Sequence, residues 1–284
     1  MEQNKNRIPY RIGRYRALDL FCGAGGVCSG LQEAGFIVTG IDIKEQPDYP
    51  GKFILGDALD PPVDLKDFDF IWASPPCQAY SVANNSHKTE HPMLIEKTRK
   101  LLAQHYNHVT CIENVTGAPI REDLTLTLPM FGNFTHPHRR IFELSFMEYQ
   151  LFPLKKPKPI WGDEKVVFTK DHLEYILDTS QDTGFYQRNF INMVGAAGHG
   201  WPDTQMGNKR KKIGLPGTTT IQELEVALGI HHIKSGTNAH RRGALNNAVP
   251  PAYARYIGEG AKRVINNDLR TNSTSNHRPA QQTI

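Results

Sequence analysis

The stretch Ala17-Leu18-Asp19-Leu20-Phe21-Cys22-Gly23-Ala24-Gly25-Gly26 runs an apolar strand straight into a glycine-rich turn. Glycines there let the backbone turn tightly and approach a ligand closely at the carboxyl edge of a sheet. A helical stretch follows through Ala34 and is stopped by Gly35. Phe36-Ile37-Val38-Thr39-Gly40-Ile41-Asp42 then reads as a second strand with an acid at its end. Phe53-Ile54-Leu55-Gly56-Asp57 reads as a third, Asp69-Phe70-Ile71-Trp72-Ala73 as a fourth, and Val109-Thr110-Cys111-Ile112-Glu113 as a fifth. Met93 to Gln104 has helical spacing between the last two. Strands that are nearly all apolar and alternate with helices predict an α/β chain: a doubly wound, Rossmann-like parallel sheet covered on both faces.

Bulk properties bound the rest. The 284 residues are 39% hydrophobic and 22% charged, enough for a full core in one large domain with a small insertion. No apolar run approaches the roughly 20 residues that span a bilayer, and the N-terminus has no signal-type stretch. A soluble cytoplasmic protein with no membrane partner is therefore expected. Four cysteines, Cys22, Cys28, Cys77 and Cys111, are too few for a disulfide framework. None has Cys-x-x-Cys spacing, so no metal is expected. A net charge of +4 is compatible with a nucleic-acid partner without requiring one. Lys209-Arg210-Lys211-Lys212 is a tight basic cluster, and Arg139-Arg140 and Arg241-Arg242 are paired. Each run taken alone is equally readable as a solvated face.

From about Leu151 the texture changes. Lys155-Lys156-Pro157-Lys158-Pro159 is a stiff connection, and residues 192–220 are rich in glycine, proline and basic side chains. Residues 150–217 are read as a small separate lobe. Thr220 to Gly229 predicts a helix opened by a Thr220/Glu223 capping box, and Pro250 to Ile265 a last helix. The catalytic unit is thus assigned to 1–149 and 218–266, with residues 267–284 a polar, disordered tail.

Three features carry chemistry. Gly, Asp42 and Asp57 at three successive strand ends favour an adenosyl ligand over a ligand-free turn: Asp42 would accept from ribose hydroxyls and Asp57 from an adenine amine. The glycine pattern differs from the dinucleotide fingerprint, which weighs against NAD. Ser74-Pro75-Pro76-Cys77-Gln78 follows the fourth strand, and its two prolines hold a thiol at the sheet rim. A free cysteine is more often simply buried, but a strand end beside a ligand site favours a nucleophile. Glu113-Asn114-Val115 ends the fifth strand with an acid, readable also as a capping or salt-bridged group, and Asn114 as a turn former.

These motifs in this order resemble the DNA (cytosine-5)-methyltransferase family. Asn247-Ala248-Val249-Pro250-Pro251 resembles its closing motif, and His138-Arg139-Arg140-Ile141-Phe142-Glu143 its arginine motif, most of all in short phage-type members. The likeness covers about residues 16–145 and 218–265. It implies S-adenosyl-L-methionine as methyl donor, held by Phe21, Cys22, Gly23, Ala24, Gly25, Gly26, Asp42, Ile43, Asp57, Ala58, Pro75, Asn247 and Val249. It implies that Cys77 adds to C6 of a flipped-out cytosine in double-stranded DNA, with Glu113 at N3 and Arg140 at the base carbonyl. Gln78, Ser81 and Lys88, in a lid over Ala79 to His91, are candidate DNA contacts. Lys209, Arg210, Lys211 and Lys212 are candidates for phosphates.

The chain departs from the family pattern at the arginine motif. The usual Gln, Arg and Arg at alternate positions are His136, His138 and Arg140 here, so Arg139 is an alternative to Arg140. Two other functions stay open. The same chemistry on tRNA is one, because a tRNA-methylating branch shares the Pro-Pro-Cys-Gln turn. A catalytically silent DNA-binding relative is the other, and intact Cys77, Glu113 and the arginine pair argue against it. A monomer is expected, with a cognate restriction enzyme of a restriction-modification pair, or a partner subunit, as candidate partner.

Overall fold

The computed structural model describes residues 15–77, 93–104, 109–131, 138–146, 166–170, 173–177 and 220–275. Within them the strands are β1 (Tyr15–Leu20), β2 (Phe36–Asp42), β3 (Lys52–Leu55), β4 (Phe70–Ala73), β5 (Val109–Asn114), β6 (Leu124–Leu126), β7 (Arg140–Leu144), β8 (Val166–Lys170) and β9 (Leu173–Leu177). The helices are α1 (Gly26–Glu33), α2 (Ile95–Ala103), α3 (Ile221–Leu228), α4 (Asn238–Asn247) and α5 (Pro251–Ser275).

β1 to β7 form one sheet in the order β3-β2-β1-β4-β5-β7-β6. The pairs from β3 to β5 are all parallel. The order reverses at β1, which has β2 on one side and β4 on the other. That switch point opens a crevice at the carboxyl ends of β1 and β4, where open α/β sheets hold their ligands. β7 is antiparallel to both β5 and β6, so this edge departs from a purely parallel sheet. It sets Phe142 opposite Glu113 and Ile141 opposite Asn114, and so carries the arginine motif to the end of β5.

Alternation along each strand divides the core into two layers. Ala17, Phe36, Val38, Phe70, Trp72, Cys111 and Phe142 pack on the face covered by α1 and α5. Leu18, Leu20, Ile41, Ile71 and Ile112 pack with Leu102 of α2 on the other. Glycines make the first face tight. A Cβ on Gly26 would lie 2.2 Å from the Val249 carbonyl oxygen, and one on Gly30 would lie 2.1 Å from that of Pro251. The segment entering α5 therefore rests directly on the α1 backbone.

Several sequence readings need correction. α5 runs to Ser275, past the boundary at 266 and into the polar stretch read as disordered. The side chains Tyr253, Ile257, Ala261 and Val264 form its buried stripe and anchor it. α4 was not anticipated, since its sequence Asn-Ala-His-Arg-Arg-Gly-Ala-Leu-Asn-Asn has little apolar periodicity. Thr237 caps it, accepting from the His240 amide at 3.2 Å, and Leu245 is its buried anchor. Within residues 150–217, β8 and β9 pair as an antiparallel hairpin that the irregular sequence did not predict.

Candidate functional site

The first three strand ends meet as the sequence suggests, and their contacts are more interlocked than expected. Phe21 (φ 60°) and Gly23 (φ 47°) both take left-handed backbone in the turn after β1. Nothing lies within 4 Å of a Cβ built on Gly23, so this glycine borders open space. Gly25 and Gly26, by contrast, start α1, and Cys22 is buried. α1 begins with no side-chain cap and no acidic residue in its first turn. Its leading amides and positive dipole end thus lie at the carboxyl end of β1.

Asp42 is part of the turn's scaffold. Its carboxylate accepts from the Gly23 amide at 2.9 Å and from the Lys44 amide at 2.9 Å. Beside it Ile43 is 72% exposed, an apolar side chain at the mouth of the crevice. Asp57 is exposed and accepts from the Leu59 amide at 2.9 Å, while Ala58 is buried.

Beneath the turn lies a buried polar pair that the sequence reading missed. Asp19 is fully buried; Tyr49 donates to its Oδ2 at 3.0 Å, and its Oδ1 has no partner. Burial pushes the Asp19 carboxyl up to about 8, the Tyr49 hydrogen bond opposing and the Asp42 and Glu113 charges adding to it. Tyr49 follows β2 in a polar loop with no periodicity, so no local pattern could have flagged it. His232 also supports the turn: its Nε2 lies 2.6 Å from the Ala24 carbonyl oxygen, and its Nδ1 3.4 Å from Ser29 Oγ.

The Pro-Pro-Cys turn leaves β4 beside the same crevice. The Ser74 amide donates to the Leu20 carbonyl at 3.1 Å, extending the β1–β4 pairing to the turn's first residue. Asn114, read as a turn former, holds the turn's next residue. It is buried, and its Nδ2 donates to the Pro75 carbonyl at 2.9 Å. Its Oδ1 accepts from the Val115 amide at 2.9 Å. The Asn of Glu113-Asn114-Val115 thus fixes the strand end carrying Glu113 to the turn carrying Cys77.

Cys77 is half-buried and free. Burial raises its pKa, the Glu113 carboxylate raises it further, and the Arg140 guanidinium lowers it. Glu113 is buried with Arg140 Nε 3.0 Å from its Oε1. Burial also raises the Glu113 pKa, outweighing the Arg140 charge and a hydrogen bond from the Ser74 side chain. A thiol, a carboxyl whose pKa burial raises and a guanidinium therefore converge within one low-dielectric pocket. Arg139 is exposed and only its carbonyl takes part, accepting from Arg140 Nη1 at 3.0 Å. Of the two arginines, Arg140 is the one the fold brings to Glu113.

Asn247 is exposed at the end of α4, and Val249 is buried where the segment crosses Gly26. Gln78, Ser81, Lys88 and Lys209 to Lys212 lie outside the described residues, as do His136 and the lid. Among the described residues no group of three or more His, Cys, Asp or Glu could hold a metal ion, and no helix is long and apolar enough to cross a membrane.

Residues 15–123 match the family model described as C-5 cytosine-specific DNA methylase. Two solved structures share the fold across nearly their whole length. One is described as a DNA modification methyltransferase encoded within an E. coli prophage. It is 16% identical with a TM-score of 0.53, over 89% of this chain and 99% of that one. The other is the S. pombe Dnmt2 methyltransferase, also 16% identical, with a TM-score of 0.54 over 89% and 99%. No curated protein sequence matches the chain.

Proposed function

We propose, from the match of residues 15–123 to the C-5 cytosine-specific DNA methylase model, that the chain methylates C5 of cytosine in double-stranded DNA through Cys77. The observation that carries this reading is the convergence of Cys77, Glu113 and Arg140 at the rim of the switch-point crevice. Open space at Gly23, the bare start of α1, Asp42 at the lip and exposed Ile43 suit an amino-acid carboxylate, a ribose and a purine, the parts of S-adenosylmethionine. Phe21, Gly23, Asp42, Ile43, Asp57 and Asn247 would hold it. When bound it supplies an electrophilic sulfonium methyl group.

The chain's own residues do the rest. The Cys77 sulfur adds to C6 of the base, and the C5–C6 double bond opens. Glu113, whose pKa burial raises, would meet N3 of the base and, when it carries a proton, donate it there and draw off the negative charge that the addition creates. Arg140 lowers the thiol pKa and offers donors to the base carbonyl. After transfer, loss of the C5 proton re-forms the double bond and expels Cys77. A base inside a duplex cannot meet a thiol at the sheet rim, so the cytosine must be flipped out. The lobe 150–217, with Lys209 to Lys212, would supply target recognition and phosphate contacts.

Duplex DNA containing 5-fluorocytosine tests the reading. With that base and S-adenosylmethionine present, C5 carries fluorine in place of the proton lost after methyl transfer, so a covalent Cys77 adduct should accumulate and resist denaturing electrophoresis, and Cys77→Ser should give none. Absence of an adduct with every DNA tried overturns the mechanism. Side-by-side transfer of labelled methyl to duplex DNA and to tRNA decides the substrate, and a strong preference for tRNA reassigns it.

A further inference from the structure

His138 stands where the arginine motif of the resembling family has its first arginine. It is instead a buried, left-handed residue, with φ 35°. A non-glycine side chain in that region is uncommon and is held there by its surroundings. Two of those surroundings belong to the closing segment. The His138 ring places Nε2 3.2 Å from the Ala248 carbonyl oxygen, and the His138 carbonyl accepts from the Tyr253 hydroxyl at 2.9 Å. Tyr253 is itself fully buried and meets Phe142 of β7 edge-on, with ring centroids 6.2 Å apart. Two residues along from His138, Arg140 opens β7 and pairs with Glu113. In the other direction, Ala248 directly follows Asn247.

From this geometry we infer that His138 and Tyr253 are positioning residues that latch the donor-side closing segment to the base-side Arg140–Glu113 pair, coupling the two halves of the site. The inference rests on the proposed function for the identity of the two ligands, though the latch itself is a property of the apoprotein. Side-chain and backbone bonds from one strained residue give a short mechanical path with few free rotors. Asn247 and Val249 being drawn onto a bound methyl donor would therefore tighten the turn that aims Arg140. Reciprocity requires that a base held by Arg140 tighten the donor side by the same factor.

The full-length protein tests this with S-adenosylhomocysteine as the donor-side probe. Its binding should slow amide hydrogen exchange along Arg140 to Leu144, and should tighten duplex DNA binding by about tenfold or more. Tyr253→Phe, which keeps the ring but loses the donor, should cut that factor below about threefold and abolish the exchange effect. His138→Asn tolerates positive φ and keeps an amide donor for Ala248, so it should retain most of the coupling. His138→Gly tolerates the same φ without a donor and should lose it. A purely structural role would lower stability in these variants while leaving the coupling factor intact, and that result overturns the inference. So does a wild-type protein that binds the probe with no protection of Arg140 to Leu144. Coupling without methyl transfer to any DNA would sink the proposed function and leave the latch standing. Failure to bind the probe at all removes both.

Discussion

At the scale of single residues, the fold places neighbours of opposite effect around one thiol. Glu113 raises the Cys77 pKa and Arg140 lowers it, both secondary to burial. Arg140→Met should therefore move the pH dependence of Cys77 alkylation upward, and Glu113→Gln should move it downward. Rates of iodoacetamide labelling across pH read both shifts, and a shift of the same sign in the two variants contradicts the arrangement. Asp19 offers a second titration. Its folded pKa of about 8 lies above the unfolded value of roughly 3.9. Between these values the folded state binds more protons, so stability declines as pH rises through the window and levels off above it. Asp19→Asn keeps an acceptor for Tyr49 without the charge. Its melting temperature should gain on the wild type from pH 5 to 8, then run parallel. A difference independent of pH would show that Asp19 is not the titrating group.

At the scale of elements, the glycine turn divides its labour in a way the sequence does not reveal. Gly23 borders the crevice, whereas Gly26 and Gly30 let the closing segment lie on α1. Alanine at Gly26 or Gly30 would meet backbone oxygens, which cannot swing away as a side chain can. Each should cost roughly 1–3 kcal/mol, the usual penalty for overpacking, read from urea unfolding midpoints. Alanine at Gly23 has room for its methyl but strains the left-handed backbone by about 1–2 kcal/mol. Its methyl would also project into the space assigned to the donor. Gly23→Ala should thus weaken S-adenosylhomocysteine binding in calorimetry beyond what its stability loss explains, while Gly26→Ala should act mainly through stability. Equal effects on binding would remove that division. α5 illustrates the reverse case: its polar second half follows a buried stripe set by Tyr253, Ile257, Ala261 and Val264, so tertiary packing carries the helix past its own propensity.

At the scale of the whole molecule, the buried core is discontinuous in sequence. Leu224, Leu228, Ile230, Ile233, Leu245 and Val249 belong to the same core as Val27, Leu31 and Phe36, although nearly 200 residues separate the two groups in sequence. Target recognition is proposed for residues 150–217, and their basic cluster gives a global prediction. Replacing Lys209, Arg210 and Lys211 with alanine should weaken DNA binding and flatten its salt dependence by up to about 0.9 in log–log slope per lost phosphate contact. Titrations at several salt concentrations check this, and an unchanged slope removes the cluster from the interface. The sequence by itself determined the α/β alternation, the strands β1 to β5 and the placement of Cys77, Glu113 and the glycine turn at strand ends. Those signals are local: apolar runs, glycines and prolines bias the backbone wherever they occur. Only the tertiary structure decided the antiparallel β7 edge, the choice of Arg140 over Arg139, Asn114 as the clasp on Pro75, and the Asp19–Tyr49 pair under the turn. It also decided how the turn of Cys77 meets its partners. These depend on contacts between residues far apart in the chain, whose register is set by which faces are buried together and which leaves no periodic trace in either segment alone.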